Sequence, residues 1–102
     1  GMTSDASTQI ISFKAEPGAE ICDSHIREAS FALDSDLRGT VWRNVTLENV
    51  NMRGIDFGGA QFNLVTVNGQ PLTPPEGFQR LMEMGVHPDQ LPFINGQSFA
   101  QY

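Results

Sequence analysis

The chain has 102 residues, enough for one domain with a modest core. Twelve acidic against six basic residues give a net charge of −6, which argues against a nucleic-acid or anionic-membrane surface, since both bind basic patches. No apolar run approaches the roughly 20 residues of a membrane-spanning helix, and the N-terminus lacks the pattern of a signal peptide. We therefore expect a cytoplasmic protein, with non-classical secretion as the alternative. The single cysteine, Cys22, cannot form an intramolecular disulfide, which fits a reducing compartment.

Residues 1–18 predict an N-terminal cap. Gln9 to Glu16 is typical of a strand, and Pro17-Gly18 is a turn signal. We expect Ile11 and Phe13 to lie on the core. The segment would then cover the first edge of the sheet that follows, because uncovered strand edges invite aggregation.

A five-residue repeat follows this cap. A large apolar residue occupies every fifth position from residue 37: Leu37, Trp42, Leu47, Met52, Phe57, Phe62, Val67 and Leu72. Neither the helical period of 3.6 nor strand alternation produces that spacing. Small or β-branched residues stand two positions earlier, where we expect a second inward position: Ser35, Thr40, Val45, Val50, Ile55, Ala60 and Val65.

The position two residues after each large residue predicts a corner of the backbone. It holds Gly39, Asn44, Asn49, Gly54, Gly59, Leu64 and Gly69. Glycine and asparagine tolerate the left-handed backbone of tight turns, so their recurrence marks regularly spaced bends. The same register continues upstream through residues 19–33 if Asp34 is a one-residue insertion.

Residues 35–69 resemble the pentapeptide-repeat proteins, whose motif is a small residue, Asp or Asn, a large apolar residue and two mostly polar residues. Residues 35–39 (Ser-Asp-Leu-Arg-Gly) and 55–59 (Ile-Asp-Phe-Gly-Gly) fit this motif, and residues 19–33 follow it more loosely. The resemblance implies an all-β fold: a short right-handed single-stranded β-helix over residues 19–72, with four pentads to a coil and about two and a half coils.

With four pentads to a coil, residues about twenty apart stack on each other. Ile21, Trp42 and Phe62 then form one apolar column, and Ile26, Leu47 and Val67 form a second. Arg27 lies over Glu48 on the outer surface, an opposite-charge pair that favours this register.

Residues 73–102 predict a C-terminal cap and tail. Thr73-Pro74-Pro75 ends the repeat, since proline removes a ladder donor. Residues 76–84 predict a short helix that stops at Gly85 and closes the last edge of the sheet. The tail from His87 to Tyr102 contains an Asn95-Gly96 turn and several apolar residues. We expect it to fold back on the domain; docking on a partner is the alternative.

Three residues form a candidate ligand face. The repeat stacks Asp36 and Asp56 on one outer face beside Arg38, a pattern similar to the acidic ledges with which carbohydrate-cleaving β-helices hold calcium. In a repeat of this kind, the aspartate more often bonds the backbone or solvent. The sequence therefore offers this face as a ligand site with a structural role as the alternative.

Two other clusters do not predict chemistry. Cys22 and His25 have the spacing of two metal ligands, but a zinc site needs three or four. Asp23-Ser24-His25 contains the residue types of a hydrolytic triad, yet adjacent residues of a strand point to different sides. We therefore predict no catalytic residue, no metal and no cofactor.

These observations favour a non-catalytic protein–protein interaction or structural module, of bacterial type, that binds a protein partner through the faces or end caps of the coil. One alternative comes from the family resemblance, since some members mimic DNA and bind topoisomerases such as gyrase. Residues 19–72 hold seven acids and four arginines, a mixed charge for such a mimic. Another alternative is a carbohydrate-binding or carbohydrate-active protein using Asp36 and Asp56. A second copy of the chain, bound through a coil end or the C-terminal tail, is a further candidate partner.

Overall fold

The computed structural model describes residues 9–11, 16–32 and 35–102 of the chain. The described strands form one mixed six-stranded sheet, accompanied by an α-helix and two short 3-10 helices. The strands are β1 (Gln9–Ile11), β2 (Glu20–Phe31), β3 (Val41–Asn51), β4 (Gln61–Val67), β5 (Gln70–Pro71) and β6 (Phe93–Ile94). The helix α1 is Glu76–Glu83, and the 3-10 helices are Pro88–Gln90 and Phe99–Gln101.

Strands β1 to β4 pair in sequence order, and all of these pairs are parallel. Trp42 of β3 pairs with Ile21 of β2 on one side and with Phe62 of β4 on the other. Arg27 pairs with Glu48, and its Nε lies 3.7 Å from the Glu48 carboxylate. The predicted stacking of residues about twenty apart is therefore confirmed.

The predicted right-handed β-helix over residues 19–72 is wrong. The strands make an open, mixed sheet that does not close into a solenoid, and β5 runs antiparallel to β4. The reversal occurs at Asn68 and Gly69, whose φ angles of 49° and 82° are both left-handed. Two such residues between paired strands form the hairpin turn that Asn-Gly favours. At this hairpin the chain turns back antiparallel to β4, where the predicted coil would have continued in the parallel direction.

The predicted corners themselves are confirmed. All seven have positive φ: Gly39 (71°), Asn44 (56°), Asn49 (51°), Gly54 (81°), Gly59 (73°), Leu64 (55°) and Gly69 (82°). Asn44, Asn49 and Leu64 bend the strands in which they lie, and the four glycines lie in turns between strands. Leucine is the one residue of this set that lacks both the freedom of glycine and the local hydrogen bonding of asparagine.

The core is built around Trp42. Its ring lies 5.4 Å from that of Phe62, 6.1 Å from Phe57 and 6.3 Å from Phe31, measured between centroids. The indole Nε1 donates a 2.9 Å hydrogen bond to the Thr40 hydroxyl, which in turn donates to a backbone carbonyl. The buried polar atoms around the indole are thereby satisfied, as buried donors must be.

The C-terminal part covers the free edge of β4. Helix α1 confirms the predicted helix over residues 76–84, and it buries Phe78 and Leu81. The tail folds back as expected: β6 pairs with β4, and the rings of Phe99 and Tyr102 lie 5.6 and 6.1 Å from that of Phe78.

At the N-terminus, β1 falls within the predicted strand, whereas the expected core contacts of Ile11 and Phe13 lie outside what the structure describes. In the described part of the chain, no helix has the length and apolar character to cross a bilayer.

Candidate functional site

The predicted ligand face is assembled by the fold. Asp36 and Asp56 form an isolated parallel bridge, so the two backbones lie side by side. Arg38 donates from Nε to Asp36 Oδ1 at 3.0 Å and from Nη2 to Oδ2 at 2.9 Å. These bonds from the guanidinium, with a third from the Arg38 backbone, lower the pKa of Asp36 to about 2. The same contacts raise the pKa of Arg38.

The two aspartates also have a structural role in their turns. Asp36 accepts from the backbone N–H of Arg38 at 3.2 Å, and Asp56 accepts from that of Gly58 at 2.8 Å. Asn51 does the same for Arg53 at 3.0 Å. A short polar side chain bonded two residues onward stabilises a turn. The structural alternative is thus realised for both aspartates, and Asn51 makes the same bond at a third position of the repeat.

A depression of about 470 Å³ lies beside this face. It is lined by Pro17, Asp36, Arg38, Gly39 and Gly58. An ionised carboxylate held by a guanidinium presents hydrogen-bonding groups to a polar ligand. It is unsuited to general acid catalysis, because a carboxyl with a pKa of about 2 carries no proton at neutral pH.

The residues of the Asp-Ser-His sequence point to separate partners. Asp23 accepts from the Asn44 amide at 2.7 Å, Ser24 donates to the Cys22 carbonyl at 2.8 Å, and His25 Nε2 lies 2.5 Å from Glu48 Oε1. A hydrolytic triad requires these groups to bond each other. In the structure each of these three side chains bonds a group outside the Asp-Ser-His sequence.

Cys22 lies beside the Glu20 carboxylate. Its Sγ lies 3.4 Å from a Glu20 carboxylate oxygen. Partial burial and the nearby Glu20 carboxylate raise the pKa of the thiol, which reduces the thiolate that reacts or binds metal. Within the part of the chain that the structure describes, no three His, Cys, Asp or Glu residues cluster as a metal site would require.

Leu64 was not predicted as a site residue, and the structure gives it unusual properties. Its side chain is 72% exposed, and its backbone has a left-handed φ of 55°. By register it follows Asp23 and Asn44 at the same corner of three successive strands. The two earlier residues bond each other, whereas leucine offers no polar group to extend the ladder. This difference is visible in the sequence, because the other predicted corners are all glycine or asparagine.

A groove of about 310 Å³ lies against Leu64. Its described lining is free of charged side chains and consists of Asn44, Leu64, Val65, Thr66, Pro71, Leu72, Thr73 and Asn95. Val65 and Leu72 are buried and give it an apolar floor, while the two asparagines and two threonines surround that floor with hydrogen-bonding groups. This arrangement suits binding rather than bond-breaking chemistry.

No protein-family model, curated protein or solved structure matches the chain. The resemblance to pentapeptide-repeat proteins therefore stays a hypothesis drawn from the repeat motif. Function has to be inferred from the surface chemistry of the described residues.

Proposed function

We propose that this protein is a non-catalytic module that binds another protein through its sheet surface. The observation that carries this proposal is Leu64, an exposed leucine in a left-handed backbone conformation. Exposure of a large apolar side chain and positive φ at a non-glycine residue are both unfavourable in the free chain. Residues kept in such conformations concentrate at ligand-binding and recognition sites.

The bonding of the polar side chains supports a non-catalytic role. Asp36 is held by Arg38, and His25 and Arg27 both contact Glu48. Each of these groups bonds a neighbour on the surface, and the depression that Asp36 and Arg38 line does not include His25, Arg27 or Glu48. A catalytic site needs a nucleophile or base aimed at a position that a substrate can occupy.

Affinity capture from a cell extract tests the proposal. The tagged protein should retain a partner that can be identified by mass spectrometry and then purified. Calorimetry with the two purified components should give a defined stoichiometry. Failure to bind any purified candidate, or turnover of a substrate by the metal-free protein, would contradict the proposal.

Carbohydrate binding is the second candidate, because the depression beside Asp36 and Arg38 places a carboxylate and a guanidinium together. Sugar hydroxyls both donate and accept, so they match such a pair. A glycan array with the wild type and an Asp36→Asn, Asp56→Asn double variant separates this candidate from protein binding. A glycan signal that the double variant loses would favour the sugar, and equal signals would exclude these two aspartates. The gyrase hypothesis stays a prediction that a supercoiling assay addresses.

A further inference from the structure

We infer that the protein forms a homodimer in which the outer edge of β2 pairs antiparallel with the same edge of a second copy. Each copy contributes residues 20–27, and the two sheets become one across the dimer axis. The β2 edge and Leu64 of β4 lie on opposite sides of the strand order, so the proposed function does not depend on this dimer.

The outer edge of β2 is covered along only part of its length. Among the described residues, β1 pairs with the stretch from Ala29 to Phe31, and the stretch from Glu20 to Glu28 pairs with β3 alone. A strand edge without a neighbour presents a row of N–H and C=O groups on which another strand can add. The opposite edge of the sheet is paired with β5 and β6. Within the described sheet, the β2 edge is therefore where a further strand fits.

The burial of the β2 side chains indicates that a strand is what this edge lacks. Beside β1, Ala29 and Phe31 are 3% and 4% exposed. Ile21 and Ile26, on the stretch without β1, are only partly buried, although their neighbours on β3 are fully buried. A strand placed along residues 20–27 would cover both isoleucines, which is favourable because it removes apolar surface from water.

The side chains of this stretch complement those of a second copy. A two-fold axis normal to the sheet makes two β2 strands antiparallel and keeps both core faces on the same side. In the register that places Ile21 opposite the partner's Ile26, Glu20 lies opposite the partner's Arg27. The symmetry repeats each pair, so the interface gains two apolar contacts and two opposite-charge pairs. A shift of one residue would set Ile21 against an outward-facing charged or histidine side chain, which disfavours other registers.

The two charged residues are available for these pairs. Their side chains are 54% exposed for Glu20 and 62% exposed for Arg27. Glu20 lies 3.4 Å from Arg43, and Arg27 lies 3.7 Å from Glu48, both on β3 and so on the side of β2 away from the second copy. Exposed ion pairs of this kind contribute little, so sharing them with a second partner costs little.

The rival occupant of this edge is the segment of residues 1–8, which precedes β1 and lies outside the described part of the chain. Its sequence matches the edge less well. Continuation of the β1 register would set Ser7 opposite Arg27 and Ala6 opposite Ile26. A second copy offers an acid and an isoleucine at the same two places, so charge and apolar complementarity favour the second copy.

Sedimentation equilibrium of the full chain over a wide range of concentrations tests the inference. Wild type should follow a reversible monomer–dimer equilibrium. Glu20→Arg sets arginine against arginine and Arg27→Glu sets glutamate against glutamate, so each should raise the dimer Kd at least about tenfold. Glu83→Arg and Arg53→Glu make the same changes in net charge at exposed positions away from β2, and each should change the Kd by less than about threefold.

A mixture of the two β2 variants tests the register itself. In the mixed dimer, the Glu20→Arg copy has arginine at both positions and the Arg27→Glu copy has glutamate at both, so both pairs are again of opposite charge. The mixture should therefore dimerise with a Kd within about threefold of wild type, while each variant alone does not. A folding defect in either variant cannot produce this rescue, and circular dichroism of each variant checks its fold.

Rescue in the mixture supports the inference. A monomer at all concentrations overturns it, and slow hydrogen exchange of the amides from Ile21 to Arg27 would then assign the edge to residues 1–8. A dimer that Glu20→Arg and Arg27→Glu leave unchanged also overturns it, because another surface would then hold the copies together. Loss of the dimer in both variants without rescue in the mixture overturns the antiparallel register.

Discussion

The two ends of the parallel sheet differ in how completely they bury the same kind of residue. Leu47 of β3 is fully buried and Val67 of β4 is 2% exposed, whereas Ile26, in register with them on β2, is only half-buried. The β4 edge is covered by β5 and β6, and Arg80 of α1 donates to the Val67 carbonyl. Among the described residues, β2 pairs at its outer edge with β1 only from Ala29 to Phe31. The apolar repeat therefore determines which positions face the core. The covering of the sheet edges determines how completely the side chains at those positions are buried.

Leu47→Ala and Ile26→Ala test this difference within one column. Leu47→Ala should lower the free energy of unfolding by about 2–5 kcal/mol, because a fully buried leucine leaves a cavity. Ile26→Ala should lower it by only about 1–2 kcal/mol, since its side chain is still partly hydrated in the folded protein. Urea denaturation of both variants at the same pH measures the two values. Equal losses would mean that Ile26, on the outer strand β2, is as well covered as Leu47 in the middle of the sheet.

Gly77→Ala tests the cover at the β4 end. In most helices this change stabilises by up to about 1 kcal/mol. Here an added Cβ would lie 2.9 Å from Ile94 Cδ1 and 3.3 Å from the Leu72 backbone, and both neighbours are buried. Overpacking of this kind costs about 1–3 kcal/mol, so we expect a net loss of about 1–2 kcal/mol. Gln79→Ala, on the exposed side of α1, is the control and should change stability by less than about 0.5 kcal/mol. A stabilised Gly77→Ala would show that α1 does not approach the sheet closely.

Leu64→Asn and Asn44→Leu compare one corner on neighbouring strands. Leu64→Asn should raise the free energy of unfolding by up to about 1 kcal/mol, because asparagine adopts a left-handed φ with less strain. Asn44→Leu should lower it by a similar amount or more, since it also removes the hydrogen bond to Asp23. Thermal unfolding of both variants beside the wild type measures the changes. A destabilised Leu64→Asn would mean that this leucine has a structural role in the free chain, and Leu64 would then not support the proposed binding function.

Much of the local structure could be predicted from the sequence. The five-residue spacing predicted the inward positions and the corners, because side-chain direction and corner chemistry are local properties. The pairing of Trp42 with Phe62 was expected from the four pentads to a coil that the family resemblance implies. The global shape could not be predicted in the same way. Asn68-Gly69 satisfies the corner pattern and is also a hairpin signal, and the structure uses it as a hairpin. A sequence period indicates how many turns the chain makes, but it does not determine the direction of the strand that follows the last turn.

The candidate sites also divide into a part that could be predicted from the sequence and a part that could not. Asp36, Arg38 and Asp56 could be predicted to share a face, since that follows from register alone. The engagement of Asp36 by Arg38 could not be predicted, because it depends on side-chain rotamers. The groove beside Leu64 also could not be predicted from the sequence. The groove forms where β5 and β6 pair with the edge of β4. That pairing depends on turns that lie outside the parallel strands β1 to β4.

Asp36 and Asp56 differ in their charged partners. They are bridged across neighbouring turns, but of the two only Asp36 is hydrogen-bonded by an arginine side chain. Hydrogen bonds from Arg38 lower the pKa of Asp36 from 3.8 to about 2 in the folded protein. A carboxyl with a depressed folded pKa contributes stability above its unfolded pKa and loses it as the pH falls through the folded value. We therefore expect wild type to be more stable than Arg38→Gln at pH 6, with the difference shrinking between about pH 4 and 2. NMR titration of the Asp36 carboxyl in both proteins checks the cause directly, since its midpoint should rise toward 3.8 in Arg38→Gln. An unchanged midpoint would mean that the ion pair does not persist in solution, and the depression beside it would then lack the fixed charge pair that a polar ligand requires.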